Sequence, residues 1–271
     1  MNDFFRKEGY AVAKGALDKK VVQELKLEME EVFRAYADDI NSPIDQLLIK
    51  IFSSDIEGFI GCANACQHLL SLSELSSSKQ IQEVLSEIGG IKKPVINTRP
   101  LVFFSCKNTA KSKVNWKIDP HQDWPSTQGS LNGVTCWLPL TDLSKGLGPL
   151  HVFPKSHLKG FREHVEVDGV PVLKQCDSES VEISLEVGDV LIFSYFTIHK
   201  SGENIFSDKI RWSTHFRYDD ALEPSFIERK FPRYRKDIRI EGTLHPDYPS
   251  EQEFKDFLNS DYCENHFRSG K

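Results

Sequence analysis

The sequence lacks several features that would each have fixed a class of function. No apolar run approaches the roughly 20 residues of a membrane-spanning helix; the stretch Val190–Ile198 falls far short. Met1–Tyr10 carries no apolar core of a secretory signal. The six cysteines (Cys62, Cys66, Cys106, Cys136, Cys176 and Cys263) are dispersed and form no CxxC pair, which points to thiols in a reducing cytosol rather than a disulfide framework. Positive charge is not in excess. With 34 Lys and Arg against 40 Asp and Glu, the net charge is −6, and no basic face for nucleic acid is implied. Internal repeats and low-complexity linkers are also missing. The expectation is a cytoplasmic protein whose partner is a small molecule, not a nucleic acid or a membrane.

What remains is an ordinary globular chain of 271 residues, 39% hydrophobic and 27% charged, long enough to bury a substantial core. Residues 1–92 read as a mainly helical scaffold. Asp18 can cap a helix in which Val22, Leu25, Met29, Val32 and Tyr36 recur at spacings of three and four. Further helical patterning covers Ile44–Phe52, Gly58–Leu72 and Lys79–Ile88, with Gly89-Gly90 as a stop. From Lys93 the texture changes to short β-branched and aromatic runs between turn residues: Val95–Cys106, Gly133–Leu140, Leu150–Pro154, Val181–Leu185, Val190–Phe196 and Lys209–Tyr218. Such spacing predicts an antiparallel sandwich or barrel over 93–218. The extension 219–271 is polar and aromatic, and its prolines exclude a long element. The whole chain reads as one domain, mainly β with flanking helices.

A His-x-Asp/Glu pair carries little information alone. Nine histidines and forty acids in 271 residues produce about one by chance, and the chain has three: His121/Asp123, His164/Glu166 and His245/Asp247. Context separates them. His164 lies in a polar connection and His245 in the proline-rich tail. His121 stands between Asp119-Pro120 and Trp124-Pro125, a stiff and aromatic setting. In an extended segment, residues i and i+2 share a face, so His121 and Asp123 can offer a nitrogen and an oxygen to one ion. His199, just beyond the buried run from Val190, is the candidate third ligand, with a structural histidine as the plainer reading of that residue alone. Two imidazoles and a carboxylate match the facial triad of non-haem Fe(II) oxygenases.

The run Lys209–Tyr218 alternates strictly. Ile210, Trp212, Thr214, Phe216 and Tyr218 fall on one face; Arg211, Ser213, His215 and Arg217 fall on the other. In a barrel the polar face can line a ligand cavity while the apolar face packs under helices. Arg211 with Ser213 then makes a fork and a hydroxyl suited to a carboxylate. An edge strand with an exposed charged face is the alternative reading.

Together these motifs resemble the phytanoyl-CoA dioxygenase family of Fe(II)/2-oxoglutarate oxygenases. The resemblance runs through FFRKEGYAVAKGALDKKVVQELKLEMEEVF, DPHQDW, GLGPLHVFPKSHLKG and EVGDVLIFSYFTIHKSGENIFSDKIRWSTHFRY. It implies a double-stranded β-helix, a cupin-like jelly-roll with an N-terminal helical region. It implies that His121, Asp123 and His199 hold Fe(II), and that Arg211 and Ser201 hold the distal carboxylate of 2-oxoglutarate. Gln122, Trp137 and His157 match positions that line the co-substrate. Lys155 stands where the family carries glycine. The implied reaction consumes O2 and 2-oxoglutarate, releases succinate and CO2, and hydroxylates an unactivated C–H bond. A carboxylate at Asp123 fits hydroxylation; halogenating relatives carry a small residue there.

For the substrate, the residues Asn97, Arg99, Trp124, Gln128, His215 and Arg217 form a polar and aromatic set, with Leu101 and Phe103 continuing the face of Asn97 and Arg99. This favours a small polar metabolite or natural-product intermediate over an acyl-CoA. Arg99 and Arg217 paired with acids such as Asp219 is the plainer reading. The competing functions are a non-catalytic cupin-like protein binding zinc or nickel through His121 and His199, and a metal-dependent isomerase or hydrolase.

Overall fold

A computed structural model describes residues 1–107, 109, 118–167, 170–176, 178–232 and 248–264. Two antiparallel sheets face each other. The larger is ordered β1–β8–β3–β10–β2, formed by β1 (Tyr10–Ala13), β2 (Pro94–Ser105), β3 (Val134–Pro139), β8 (Val190–Ser194) and β10 (Arg211–Asp220). The smaller is ordered β7–β4–β9, formed by β4 (Leu150–Val152), β7 (Val181–Glu182) and β9 (His199–Ser201). A separate hairpin pairs β5 (His164–Val167) with β6 (Val170–Leu173). Between the sheets lies an apolar cluster of Trp137, Leu150, Val152, Leu185, Leu191 and Phe193. This is the expected jelly-roll barrel.

The outer face of the larger sheet is covered by helices α2 (Lys19–Ala37), α3 (Ile44–Ser54), α4 (Ile56–Cys66), α5 (Leu70–Ser76) and α6 (Lys79–Val84), which follow α1 (Asp3–Glu8). Asp18 caps α2, accepting from the Lys20 amide at 2.8 Å, as its position predicts. The buried stripe of α2 is Val22, Leu25, Met29 and Phe33. Phe33 completes it because i+4 steps follow the 3.6-residue period; Val32 packs partly buried against the same core, whereas Tyr36 is exposed and bonds Asp55 instead. Gly58–Leu72 is not one helix. Asp55 starts α4 by accepting from Gly58 N at 2.9 Å, and a turn at Gln67–Leu69 redirects Leu72 and Leu75 into the core. After α6 the chain closes in one wide turn, Leu85–Gly89, and Gly90 takes the left-handed conformation that stops it.

The face expected to pack under helices does so: Trp212, Phe216 and Tyr218 belong to the helix-covered core. Phe33 links the layers, with ring centroids 5.2 Å from Phe59, 5.2 Å from Phe104 and 6.2 Å from Trp212. β1 covers the β8 edge of the larger sheet, with Tyr10 opposite Phe193. Short α7 (Trp124–Thr127), α8 (Pro224–Glu228), α9 (Glu251–Leu258) and α10 (Asp261–Glu264) complete the chain. The tail therefore does hold a two-turn helix. Ser250 and Glu253 form a capping box at its start, just past the last proline. All six cysteines are free, and no helix among the described residues is long and apolar enough to cross a membrane.

Removing the Phe33 ring leaves a void in an otherwise solid contact between helices and sheet. Phe33→Ala is expected to cost about 3–5 kcal/mol of stability, read from urea denaturation monitored by tryptophan fluorescence.

Candidate active site

The segment 118–121 runs alongside β9. His121 and His199 exchange both backbone hydrogen bonds at 3.0 Å, and the Ser201 amide donates to the Ile118 carbonyl at 2.9 Å. This pairing sets the two imidazoles side by side, ring centroids 4.1 Å apart. Asp123, two residues on, returns to the same face. Ligand atoms of His121, Asp123 and His199 all lie within 4.8 Å of one another, and all three residues are buried.

Protonation and tautomer are set by neighbours. His121 Nδ1 lies 2.9 Å from the Asp119 carbonyl and His199 Nδ1 lies 3.0 Å from the Thr197 carbonyl. A carbonyl only accepts, so each Nδ1 carries the hydrogen and each Nε2 keeps its lone pair. Burial, helped by the neighbouring His199, lowers the His121 pKa to about 3, and burial lowers that of His199 as well. Burial alone would raise the pKa of Asp123. The Arg217 guanidinium and the two imidazoles outweigh it and hold the carboxyl well below the usual range. The donor set at neutral pH is thus two neutral imidazoles and one carboxylate, the composition a divalent first-row metal accepts.

The triad opens into a cavity of about 180 Å³. On one side stand Trp137, Leu150, Phe193, Ser201 and Arg211; Leu101, Phe103, Ile118, Ser126, Val170, Pro171, His215 and Arg217 line the rest. Arg211 is 2% exposed, its guanidinium carbon lies 5.8 Å from the Trp137 ring, and it donates to the Gly148 carbonyl. Burial lowers its pKa to about 10, and its Nε has no hydrogen-bond partner among the described residues. The Ser213 hydroxyl and His215 Nε2 are likewise buried and unpartnered there. A buried cation on the cavity lining, with no carboxylate partner among the described residues, suits an anion.

Of the residues singled out from sequence, the structure brings His121, Asp123, His199, Trp137, Ser201, Arg211, His215 and Arg217 to this cavity. Others lie elsewhere. Gln122 points to the opposite face of its extended segment, donating to the Gly160 and Phe196 carbonyls at 2.8 and 2.7 Å and accepting from Arg162 N at 2.9 Å. His157 bonds the Arg6 carbonyl at 3.0 Å behind α1, against Gly9, whose φ of +83° and lack of a Cβ let the ring approach. Asn97 donates to Asp219 at 2.6 Å, and Arg99 is exposed. Irregularities in β2, where its register against β10 shifts on either side of Arg217, break the alternation that would have put them on the face of Leu101. Trp124 stacks on Phe196 at 4.7 Å and bonds the Tyr248 carbonyl at 3.1 Å. Gln128 ends α7 and bonds the Pro125 carbonyl.

His164 accepts from the Gln122 amide at 3.2 Å, so the second His-x-acid pair buttresses the first. His245 and Asp247 lie outside the described residues. Two contacts escaped the sequence reading. Arg217 pairs with Asp123, not Asp219, at 2.5 Å, and Thr135 donates to the other Asp123 oxygen at 2.5 Å. The signal for Thr135 was its i, i+2 relation to Trp137 in an alternating strand.

A jelly-roll barrel bearing this buried His-Asp-His group belongs with the oxygenases dependent on iron and 2-oxoglutarate, as the family match shows. Residues 5–213 match the phytanoyl-CoA dioxygenase (PhyH) family, to which the chain belongs; it is a dioxygenase of the hydroxylase kind. A 1-deoxypentalenic acid 11-beta-hydroxylase of Streptomyces exfoliatus is 27% identical over 245 residues, covering 85% of this chain and 83% of that protein. Among solved structures, the epimerase SnoN in complex with Fe3+, alpha ketoglutarate and nogalamycin RO superposes with a TM-score of 0.57 at 20% identity, covering 80% of this chain and 81% of the other. EctD from S. alaskensis with 2-oxoglutarate and 5-hydroxyectoine gives 0.51 at 14% identity, covering 81% and 75%. These likenesses show the same fold.

The buried histidines have a consequence for stability. Their folded pKa values lie below the unfolded value of about 6.5, so the unfolded chain binds more protons below that pH. Stability is therefore present above about pH 6.5 and is lost as pH falls toward 3, where His121 itself titrates. The urea midpoint of the metal-free protein should drop between pH 7.5 and 5.5; a flat midpoint would contradict the neutral, buried assignment.

Proposed function

We propose that the chain is a single oxygenase domain in which His121, Asp123 and His199 hold Fe(II), Arg211 anchors 2-oxoglutarate, and a C–H bond of a small metabolite is hydroxylated with O2. The observation that carries this reading is the uncompensated cation at Arg211, facing the same cavity as the triad. A co-substrate with two carboxylates answers both ends: one binds beside the metal, the other pairs with Arg211. Trp137 and Phe193 line the cavity with Arg211, and the buried Ser213 hydroxyl, two residues along the same strand, lies off the lining. Ser201 lines the cavity, and because its hydroxyl accepts from Ile118 N at 3.1 Å it keeps its own hydrogen to donate to the distal carboxylate. Bound iron with 2-oxoglutarate supplies oxidative decarboxylation to succinate and CO2, coupled to insertion of one oxygen atom into the substrate. The protein's part is to place the groups and exclude water around them.

A zinc- or nickel-binding protein without catalysis, or an isomerase, leaves Arg211 unexplained. The acyl-CoA reading fares no better, since Arg211 and Arg217 are the only cationic side chains on the described lining, and both lie inside, away from where nucleotide phosphates would sit. Four of the six residues expected to meet substrate lie off the cavity, and Leu101, Phe103, Ile118, Val170 and Pro171 supply apolar walls. The substrate is therefore a compact metabolite with an apolar body and a polar group that His215 or Ser126 can meet. The sequence relatives that hydroxylate 1-deoxypentalenic acid support hydroxylation of a natural-product intermediate.

Anaerobic addition of Fe(II) and 2-oxoglutarate should produce the weak visible charge-transfer band of the chelate. His199→Ala should abolish it together with succinate formation; a variant that retained full iron and turnover would refute the triad. Arg211→Ala should weaken 2-oxoglutarate by about 2–5 kcal/mol, the cost of truncating a buried charge pair, as measured by titrating that band. An unchanged affinity would move Arg211 to the substrate. Succinate formation stimulated by compact natural-product intermediates, and not by long-chain acyl-CoA, tests the substrate class.

A further inference from the structure

We propose that Arg217 and Thr135 form a clamp that positions Asp123 for the metal, so that Arg217 is a positioning residue and not part of the substrate subsite. The inference rests on the reading of His121, Asp123 and His199 as metal ligands. Arg217 on β10 and Thr135 on β3 are direct cross-strand partners, so both side chains leave the larger sheet on its inner face. They converge on one carboxylate. Arg217 Nη2 lies 2.5 Å from Asp123 Oδ1, and Thr135 Oγ1 lies 2.5 Å from Oδ2. The side chains of Arg217 and Asp123 are 12% and 2% exposed.

Asp123 is carried by a connection, not a strand, and the torsion that turns a carboxylate about its own axis is soft. Two donors, one on each oxygen, fix that plane. Because the donors come from adjacent paired strands, the orientation is set by the barrel wall. Each carboxylate oxygen has lone pairs to spare, so a bond from the clamp leaves room for a metal. Arg211, by contrast, meets no carboxylate among the described residues; Arg217 already has one.

Charge and geometry predict opposite effects here, which makes the proposal decidable. By Coulomb's law alone, a guanidinium beside the site repels an incoming dication, and its removal would tighten metal binding. If the clamp holds the ligand in place, its removal weakens binding, as loss of groups that orient metal ligands commonly does by about 10–100-fold.

The experiment is Mn(II) binding to metal-free protein without 2-oxoglutarate, followed by electron paramagnetic resonance, so that turnover plays no part. Thr135→Val and Arg217→Met should each raise the dissociation constant about 10–100-fold. The double variant should lose less than the product of the two, because both act on one carboxylate. Thr135→Ser, which keeps the hydroxyl, should bind as the wild type does. Thr135→Val changes neither charge nor volume appreciably and carries the test if Arg217→Met fails to fold. Unchanged or tighter Mn(II) binding in Thr135→Val, or a Thr135→Ser variant as weak as Thr135→Val, would overturn the clamp. Failure of the wild type to bind Mn(II), or His199→Ala binding as well as the wild type, would instead refute the triad.

Discussion

The site depends on one backbone pairing. His121 and His199 exchange their N–H and C=O groups, and this exchange joins the segment bearing the His-x-Asp pair to the smaller sheet. Everything the triad needs follows from it. The two rings lie side by side because opposed residues in a paired ladder put their side chains on the same face. Asp123 joins them because it is two residues further along. Trp124 N then donates to the Tyr195 carbonyl at 3.1 Å, so the chain just past Asp123 is tied to the end of β8 as well. Three ligands from two distant stretches of sequence are thus held by backbone bonds, which vary little with the side chains around them.

Charge is distributed with similar economy. Asp123 and Arg217 neutralise one another inside the barrel, while Arg211 meets no carboxylate among the described residues. An unpaired buried cation is costly, and a folded protein carries one where a ligand offsets the cost. The imidazoles add no charge of their own, since burial keeps both rings neutral. The metal-free protein therefore holds its donors already deprotonated and oriented, which is the state a metal requires and a flexible chain would have to organise on binding.

Much of this was legible in the sequence, and the reasons are physical. The His-x-Asp pair, the histidine past a buried run and the alternating strand from Lys209 each express a local periodicity, and local periodicity survives folding. The limits have the same origin. Gln122 matched a motif position, yet strand alternation turns it away from the ion its two neighbours face. His157 is placed by α1 wrapping behind it, a contact from Arg6 that no local pattern announces. Arg99 was misplaced because β2 departs from strict alternation, and one extra residue in a strand exchanges its faces. The pairing of Arg217 with Asp123 joins residues 94 positions apart, beyond the reach of any local pattern. The helix at Glu251–Leu258 was legible after all, in the Ser250/Glu253 capping box, but the prolines before it obscured the signal.

The division of labour between wall and rim bears on how such a barrel acquires its substrate. Arg211, Ser213, Thr135 and Arg217 stand on paired central strands, where a displacement would cost several ladder bonds. The apolar contributors Val170 and Pro171 sit instead on the β5–β6 hairpin, whose outer residues Val165 and Val167 are exposed and which is tied back to the site segment by Leu173 N to the Pro120 carbonyl at 2.8 Å. Leu101 and Phe103 lie on β2, the edge strand of the larger sheet, beside its irregularities. Replacements at these peripheral positions reshape the cavity without touching a ligand, a co-substrate anchor or the His121–His199 pairing. In the proposed function, chemistry is held by the interior of the barrel and substrate choice by its margins, because the margins can change without loss of the bonds that align the metal site.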